Sequence, residues 1–250
     1  MPKVDEKQIP VAEYVKGELS PISHLAHNWE LHSATLLTPA EERVMVREPA
    51  GAVPDTVAKR LNPLRVLLVP YVACSAEGDL VSFSKPAGDT HSAVWVERED
   101  RTHLVLPCRE LDAHDTGFEL LASVAELLQP KLHPEELDRY ADVLEEEIKL
   151  GIRSEIDEEA TAAKHAMRSR GVLRRRSSID FEAYRDVSFV STLAEYIHGL
   201  WHDVEIRVGD DHLPVPQLRR RMKLMAEMFP PNEGYEVFAR DLQQSEPESS

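Results

Sequence analysis

The pattern of apolar and polar positions changes near residue 64 and again near residue 112. Between these points, short apolar runs alternate with charged or Gly-containing turns, a pattern typical of strands. The run that starts at Val66 is apolar almost throughout, which favours a buried strand. The short connections predict antiparallel hairpins in a sheet with one covered face. We predict strands over 66–73, 80–84, 92–97 and 103–107.

After residue 112 the apolar residues recur with the period of an α-helix, and Pro, Gly and capping residues separate the periodic segments. The predicted fold class is therefore α+β, with a small, mainly antiparallel sheet (about 65–108) packed against a C-terminal helical bundle (about 116–229). We predict helices over 117–129, 135–150, 154–170, 181–203 and 217–228.

The first 64 residues have no sustained period and are interrupted by prolines, so we expect an irregular segment with short helices. Thr38-Pro39-Ala40-Glu41 has the form of a capping box and predicts a helix that runs to about Arg47. No Gly/Ser-rich linker separates the predicted sheet from the predicted helices, so we predict a single domain over 1–240, with its sheet part at 65–110 and its helical part at 111–240. Residues 241–250 are acidic and of low complexity, and we predict that they are disordered.

The net charge, the apolar runs and the cysteine content of the chain indicate which partners and which cellular compartment to expect. The formal net charge of −16 disfavours binding to nucleic acid or to anionic lipid. The chain has no apolar run of membrane-spanning length, and its first ten residues lack the apolar stretch of a secretory signal. Its two cysteines, Cys74 and Cys108, form no CxxC pair, which is typical of a reducing compartment. We therefore expect a soluble, cytoplasmic protein.

The charge is unevenly distributed. Residues 135–160 hold eleven Asp or Glu and three Lys or Arg. Arg219, Arg220, Arg221 and Lys223 begin the last predicted helix, where the helix dipole disfavours cations. We hypothesise that these cations face an acidic neighbour, namely the 135–160 region. Such surfaces also make a protein partner or self-association plausible.

The clearest candidate metal site is His198-Gly199-Leu200-Trp201-His202-Asp203. Histidines four residues apart lie on one face of a helix, where they can share a zinc, iron or manganese ion, and Asp203 could add an oxygen ligand. The alternative is that His198 and His202 form only the polar edge of an amphipathic helix.

A second cluster consists of Asp112, His114 and Asp115, with Glu119 one turn into the next helix. His114 and Asp115 could bind a metal ion, and Glu119 could act as a general acid or base. The alternative is helix capping, because acidic residues are favoured in the first turn of a helix.

The predicted sheet followed by Phe118-Glu119-Leu120-Leu121-Ala122 resembles the zincin proteases, in which such a helix carries HExxH. Only the glutamate of that motif is present, and the acidic stretch 155–160 lies where a downstream glutamate ligand could be. The resemblance implies a zincin-like fold that binds no zinc at this motif, because Phe118 and Ala122 replace the two histidines. The order of His165, His202-Asp203 and Asp241 is similar to that in HD-type phosphohydrolases, but that fold is helical throughout.

The sequence contains no P-loop, no GxGxxG motif and no nucleophile elbow. The absence of these motifs slightly favours a non-catalytic interaction or scaffold protein with a degenerate zincin-like fold. The alternative function is a metal-dependent hydrolase that uses His198 and His202 as ligands.

Overall fold

A computed structural model describes residues 8–169, 178–202 and 212–236. The chain divides into two compact units. One unit comprises residues 1–53 and 58–123, and the other comprises 54–57 and 124–250. In the described residues, the strands lie in the first unit and the second unit is helical. Helix α5 begins in the first unit and ends in the second. The predicted single domain over 1–240 stays a prediction.

In the described residues of the first unit, eight strands, β1 to β8 in chain order, form two sheets. One is a three-stranded antiparallel sheet in the order β1-β6-β5, and the other is a five-stranded mixed sheet in the order β2-β3-β4-β8-β7. The strands are Gln8–Pro10, Ser23–His24, Glu30–Ser33, Leu64–Val69, Tyr71–Ala73, Leu80–Ser82, Val94–Arg98 and Arg101–Pro107.

Nine α-helices, α1 to α9, lie in the described part of the chain. The first four are single turns, and a π-helical turn at Arg43–Arg47 joins the second to the third. The helices are Val11–Tyr14, Pro39–Glu42, Glu48–Ala52, Asp55–Ala58, Ala113–Leu128, Pro134–Lys149, Glu158–Ser169, Ile179–Trp201 and Val215–Met228.

The core of the first unit is built around β4. Its apolar side chains are fully buried, as the uninterrupted run predicted. β4 pairs in parallel with both β3 and β8, and antiparallel strands complete the sheet at both edges. Leu67 and Val69 of β4 and Val105 of β8 belong to a cluster that includes Val11 of α1 and Val81 of β6. Burial of these side chains is the main stabilising contribution in this unit.

The α+β fold class, the small antiparallel sheet and the helical C-terminal region are confirmed. The described part of the first 64 residues differs from the irregular segment that we expected, because it contributes β1, β2 and β3 to the two sheets. These strands have two to four residues, and β1 and β3 are held by partners distant in sequence, such as Arg65 opposite Glu30. The capping box at Thr38 is confirmed, and the helical segment that it begins continues without a break through the π-helical turn, which ends at Arg47, into α3.

The helical unit contains α6 to α9, and α8 is its longest helix. Twelve residues of α8 are buried, including Phe189, Leu193 and Ile197. Ser178 caps this helix by accepting a hydrogen bond from the backbone N–H of Phe181. None of the helices in the described ranges is both long enough and apolar enough to cross a bilayer.

Candidate functional site

In the described part of the helical unit, four charged side chains are buried: Glu147 of α6, Glu155 in the segment before α7, Lys164 of α7 and Arg221 of α9. None is more than 1% exposed. Ionised groups are almost never found in such positions unless each is paired. We call these four residues the buried charge network.

Arg221 is its centre. Its Nε donates a hydrogen bond to Oε1 of Glu147 at 3.1 Å, and a terminal nitrogen bonds the other oxygen of the same carboxylate. Its two terminal nitrogens also lie 2.6 and 2.9 Å from the two oxygens of Glu155. One guanidinium therefore forms bidentate hydrogen bonds with both carboxylates, a geometry that a lysine ammonium cannot provide.

Glu155 receives further donors from α7 and α8. Lys164 Nζ lies 2.7 Å from Oε1 of Glu155, and the hydroxyl of Tyr184 donates to the same oxygen. Lys164 also lies 5.5 Å from the centre of the Tyr184 ring. The backbone N–H of Leu213, which precedes α9, donates a hydrogen bond to the backbone carbonyl of Glu155, with an N···O distance of 3.0 Å. Contacts from three chain segments thus fix the position of Glu155, two of them to its carboxylate and one to its backbone.

Hydroxyl groups from α6 and α8 complete the polar environment. The hydroxyl of Tyr140 lies 2.9 Å from Ser188 Oγ and 2.7 Å from Thr192 Oγ1. Arg221 donates to Ser188 Oγ at 3.0 Å. Every polar group around the guanidinium is therefore hydrogen-bonded, which reduces the cost of removing these charges from water.

The pKa values reflect this environment. Burial alone would raise the pKa of Glu155, but the charges of Arg221 and Lys164 outweigh it and lower that pKa to about 2. Burial lowers the pKa of Lys164 from its ordinary value, and burial raises the pKa of Tyr140 to about 12. The two carboxylates and the two cations of the network balance in charge, and all four side chains are buried from solvent. The network is suited to holding four helical segments together rather than to chemistry on a substrate.

The same unit has a surface groove of about 710 Å³ between α6 and α9. Its apolar lining comes from Val143 of α6 and from residues of α9, including Leu224. Its polar lining contains three cations and one carboxylate. The lining residues are Val143, Val215, Pro216, Arg219, Arg220, Lys223, Leu224 and Glu227.

Ion pairs join the two helices that form the groove. Arg220 of α9 pairs with Glu146 of α6, and Glu227 pairs with Arg139 at 2.5 Å. Together with the pair between Arg221 and Glu147, the Arg220 pair confirms our hypothesis that the α9 cations face the acidic 135–160 region. Lys223 is exposed in the groove, and no ion pair joins it to an acidic residue in the described part of the chain.

The structure places His198 and His202 at the end of α8, with ring centres 6.1 Å apart. His198 is largely buried, and its Nδ1 lies 3.6 Å from Oε2 of Glu195, whereas His202 is exposed. Asp203 lies outside the described residues. Leu193 and Ile197 are buried as the amphipathic alternative requires. The two histidines are therefore close together, and metal binding by them stays a prediction.

The second predicted cluster lies at the start of α5. The side chain of Asp112 accepts a hydrogen bond from the N–H of Asp115 at 2.9 Å, and its carbonyl accepts one from the N–H of Thr116. Asp112 thus caps the helix, as the alternative interpretation predicted. His114 Nδ1 lies 3.7 Å from the carboxylate of Asp115. A catalytic role of Glu119, one turn further along α5 and partly exposed, stays a prediction.

Within the ranges 8–169, 178–202 and 212–236, no three His, Cys, Asp or Glu side chains form a group that could hold a metal ion. His165 is exposed on α7, and Asp241 lies outside these ranges. Glu155, which we considered as a downstream ligand in the zincin resemblance, is occupied by Arg221 and Lys164.

Sequence reasoning missed the burial of Glu147, Glu155 and Lys164. A signal was present for two of them: Lys164 lies four residues after Ala160 and three before Met167, both buried, and Glu147 lies three residues after the buried Leu144. A charged residue in line with an apolar stripe is the signature of a buried ion pair, but its partner is not apparent until the helices are packed.

Comparisons of the chain with protein-family models, with curated proteins and with solved structures found no match.

Proposed function

We propose that this chain is a cytoplasmic, non-catalytic interaction protein, and that its docking surface is the groove between α6 and α9. The partner is an acidic, amphipathic segment of another protein. The observation that carries the proposal is the composition of the groove, which combines an apolar lining with Arg219, Arg220 and Lys223 in a chain with a net charge of −16.

The physical argument has two parts. The groove between two packed helices is the kind of surface in which an amphipathic helix lays its apolar face, and its accessible apolar surface comes from Val215 and Pro216 at the start of α9. The cations then select a segment with carboxylates beside its apolar residues, and they repel a basic segment. Lys223 is the cation that an incoming carboxylate can bind without first breaking an ion pair of the described residues.

The test is a fluorescence-anisotropy titration with a labelled peptide of about 15 residues, composed of Glu, Ala and regularly spaced Leu. We expect Lys223→Glu to weaken binding by about tenfold or more, because it places a like charge against the peptide. A peptide with Lys in place of Glu should not bind the native chain.

The matched control is Lys85→Glu, which makes the same charge change at an exposed lysine of the first unit. It should change the dissociation constant by less than about twofold, because only long-range repulsion is altered. Equal weakening by Lys85→Glu and Lys223→Glu would mean that net charge alone governs binding, and the proposal would then be wrong.

A metal-dependent hydrolase is the second candidate, favoured by the 6.1 Å separation of the His198 and His202 rings. Its test is elemental analysis of protein purified without chelators, beside a His198→Ala/His202→Ala variant. Near-stoichiometric zinc, iron or manganese that is lost in the variant would support this function. Protein that stays metal-free after incubation with these ions would exclude it.

A further inference from the structure

We infer that the groove between α6 and α9 is regulated by the chain itself, and that its occupant in the absence of a partner is the C-terminal segment 237–250. This inference rests on the proposed function, because it concerns the same groove. The segment, VFARDLQQSEPESS, lies outside the described residues, so only its sequence and its point of attachment enter the argument.

The composition of the segment complements the groove. It carries Asp241, Glu246 and Glu248 with a single basic residue, Arg240. Phe238 and Leu242 are apolar residues four positions apart, and Asp241 adjoins Leu242 in the sequence. The segment therefore has the acidic, amphipathic character that the cations and the apolar lining of the groove select.

The point of attachment brings the segment within reach. Glu236, the last described residue, follows Glu227 of the groove by nine residues, a separation of at most about 30 Å along an extended chain. The 14 residues of 237–250 extend to about 45 Å, whereas α9 is only about 21 Å long. A tethered segment of this length has an effective concentration in the millimolar range, so weak binding is enough to occupy the groove.

The test uses the chain of 250 residues and the labelled Glu/Leu/Ala peptide. In the variant Asp241→Asn/Glu246→Gln/Glu248→Gln the segment loses its carboxylates. We expect this variant to bind the peptide about three- to tenfold more tightly than the native chain, because the competitor is weakened. Adding Lys223→Glu to the variant should abolish the gain, since the groove itself is then impaired.

The control removes the same number of charges from exposed positions of the first unit, Glu18→Gln/Glu77→Gln/Glu97→Gln. A comparable gain in this control would attribute the effect to net charge and would overturn the inference. A synthetic peptide of residues 237–250, added to the neutralised variant, should displace the labelled peptide.

The outcomes separate the two proposals. If neutralising the segment leaves affinity unchanged while Lys223→Glu still weakens binding, the segment does not regulate the groove, and the proposed function stands. If Lys223→Glu has no effect in any background, the groove is not the docking surface, and both proposals fail.

Discussion

At the scale of single residues, Arg221 is the group on which the helical unit depends most. It is fully buried and binds both Glu147 and Glu155, while the neighbouring Arg220 makes its ion pair at the surface. The two adjacent arginines therefore offer a comparison in which the residue type is the same and only the burial differs. Sequence reasoning placed both opposite acidic residues, but it could not separate them, because burial depends on how the helices pack.

We expect Arg221→Ala to lower the free energy of unfolding by about 3–5 kcal/mol, because it leaves two buried carboxylates with one cation. Arg220→Ala should cost less than about 1 kcal/mol, since its pair is exposed. Urea denaturation followed by circular dichroism measures both. Similar losses for the two variants would contradict the assignment of Arg221 as the buried centre.

Glu155 provides a pH test of the same network. Its pKa is about 2 in the folded chain against an ordinary value of 4.5, so it is protonated more readily in the unfolded state. Its stabilising contribution is complete above about pH 5 and is lost as the pH falls toward about 2, for a total of about 3 kcal/mol. Glu155→Gln should flatten this part of the stability profile, whereas Glu158→Gln, at an exposed position of α7, should not. A profile equally steep in Glu155→Gln would contradict the depressed pKa.

At the scale of elements, the pattern of apolar residues predicted the helices from α5 onward and the strand region from β4 onward, because each carries its own period or an apolar run. The single strand predicted over 66–73 was wrong, since the chain breaks at Pro70 into β4 and β5, which belong to different sheets. The pattern did not predict the parallel neighbours of β4. Glu30 in β3 pairs with Arg65, and Arg65 pairs with His103, across about 35 residues in each case. Such pairings are set by the packing of the whole sheet, and a four-residue strand such as β3, with the sequence ELHS, gives little local signal.

Helix capping is an element-scale feature that can be tested at Ser178. Its side chain accepts a hydrogen bond from Phe181 N at 3.2 Å at the start of α8. We expect Ser178→Ala to destabilise the fold by about 1 kcal/mol and Ser178→Gly by only a few tenths, because glycine tolerates the non-helical backbone of a cap. Thermal unfolding of the two variants measures the difference. Equal stability of Ser178→Ala and the native chain would show that the cap does not contribute.

At the scale of the whole molecule, the single domain that we predicted requires the two units to unfold together. Trp29 is buried in the first unit, and Arg221 lies in the second. In a chain with Trp95→Phe and Trp201→Phe, fluorescence reports on Trp29 alone. If the chain is one cooperative domain, adding Arg221→Met should shift the Trp29 transition and the circular-dichroism transition to the same lower urea concentration. A Trp29 midpoint that does not move would establish two independent domains.

The buried charge network also has a consequence for the register of α9 against its neighbours. A displacement of α9 by one helical turn would put Leu218 or Gln217, or in the other direction Leu224 or Met225, in the place of Arg221. None of these side chains carries a charge, so Glu147 and Glu155 would be buried with Lys164 as their one remaining cation. Apolar packing alone would tolerate such a slip, because leucines and methionines can exchange places at small cost. The slip would leave two buried carboxylates with one cation, which is strongly destabilising, so the network restricts the helical unit to one alignment of α9.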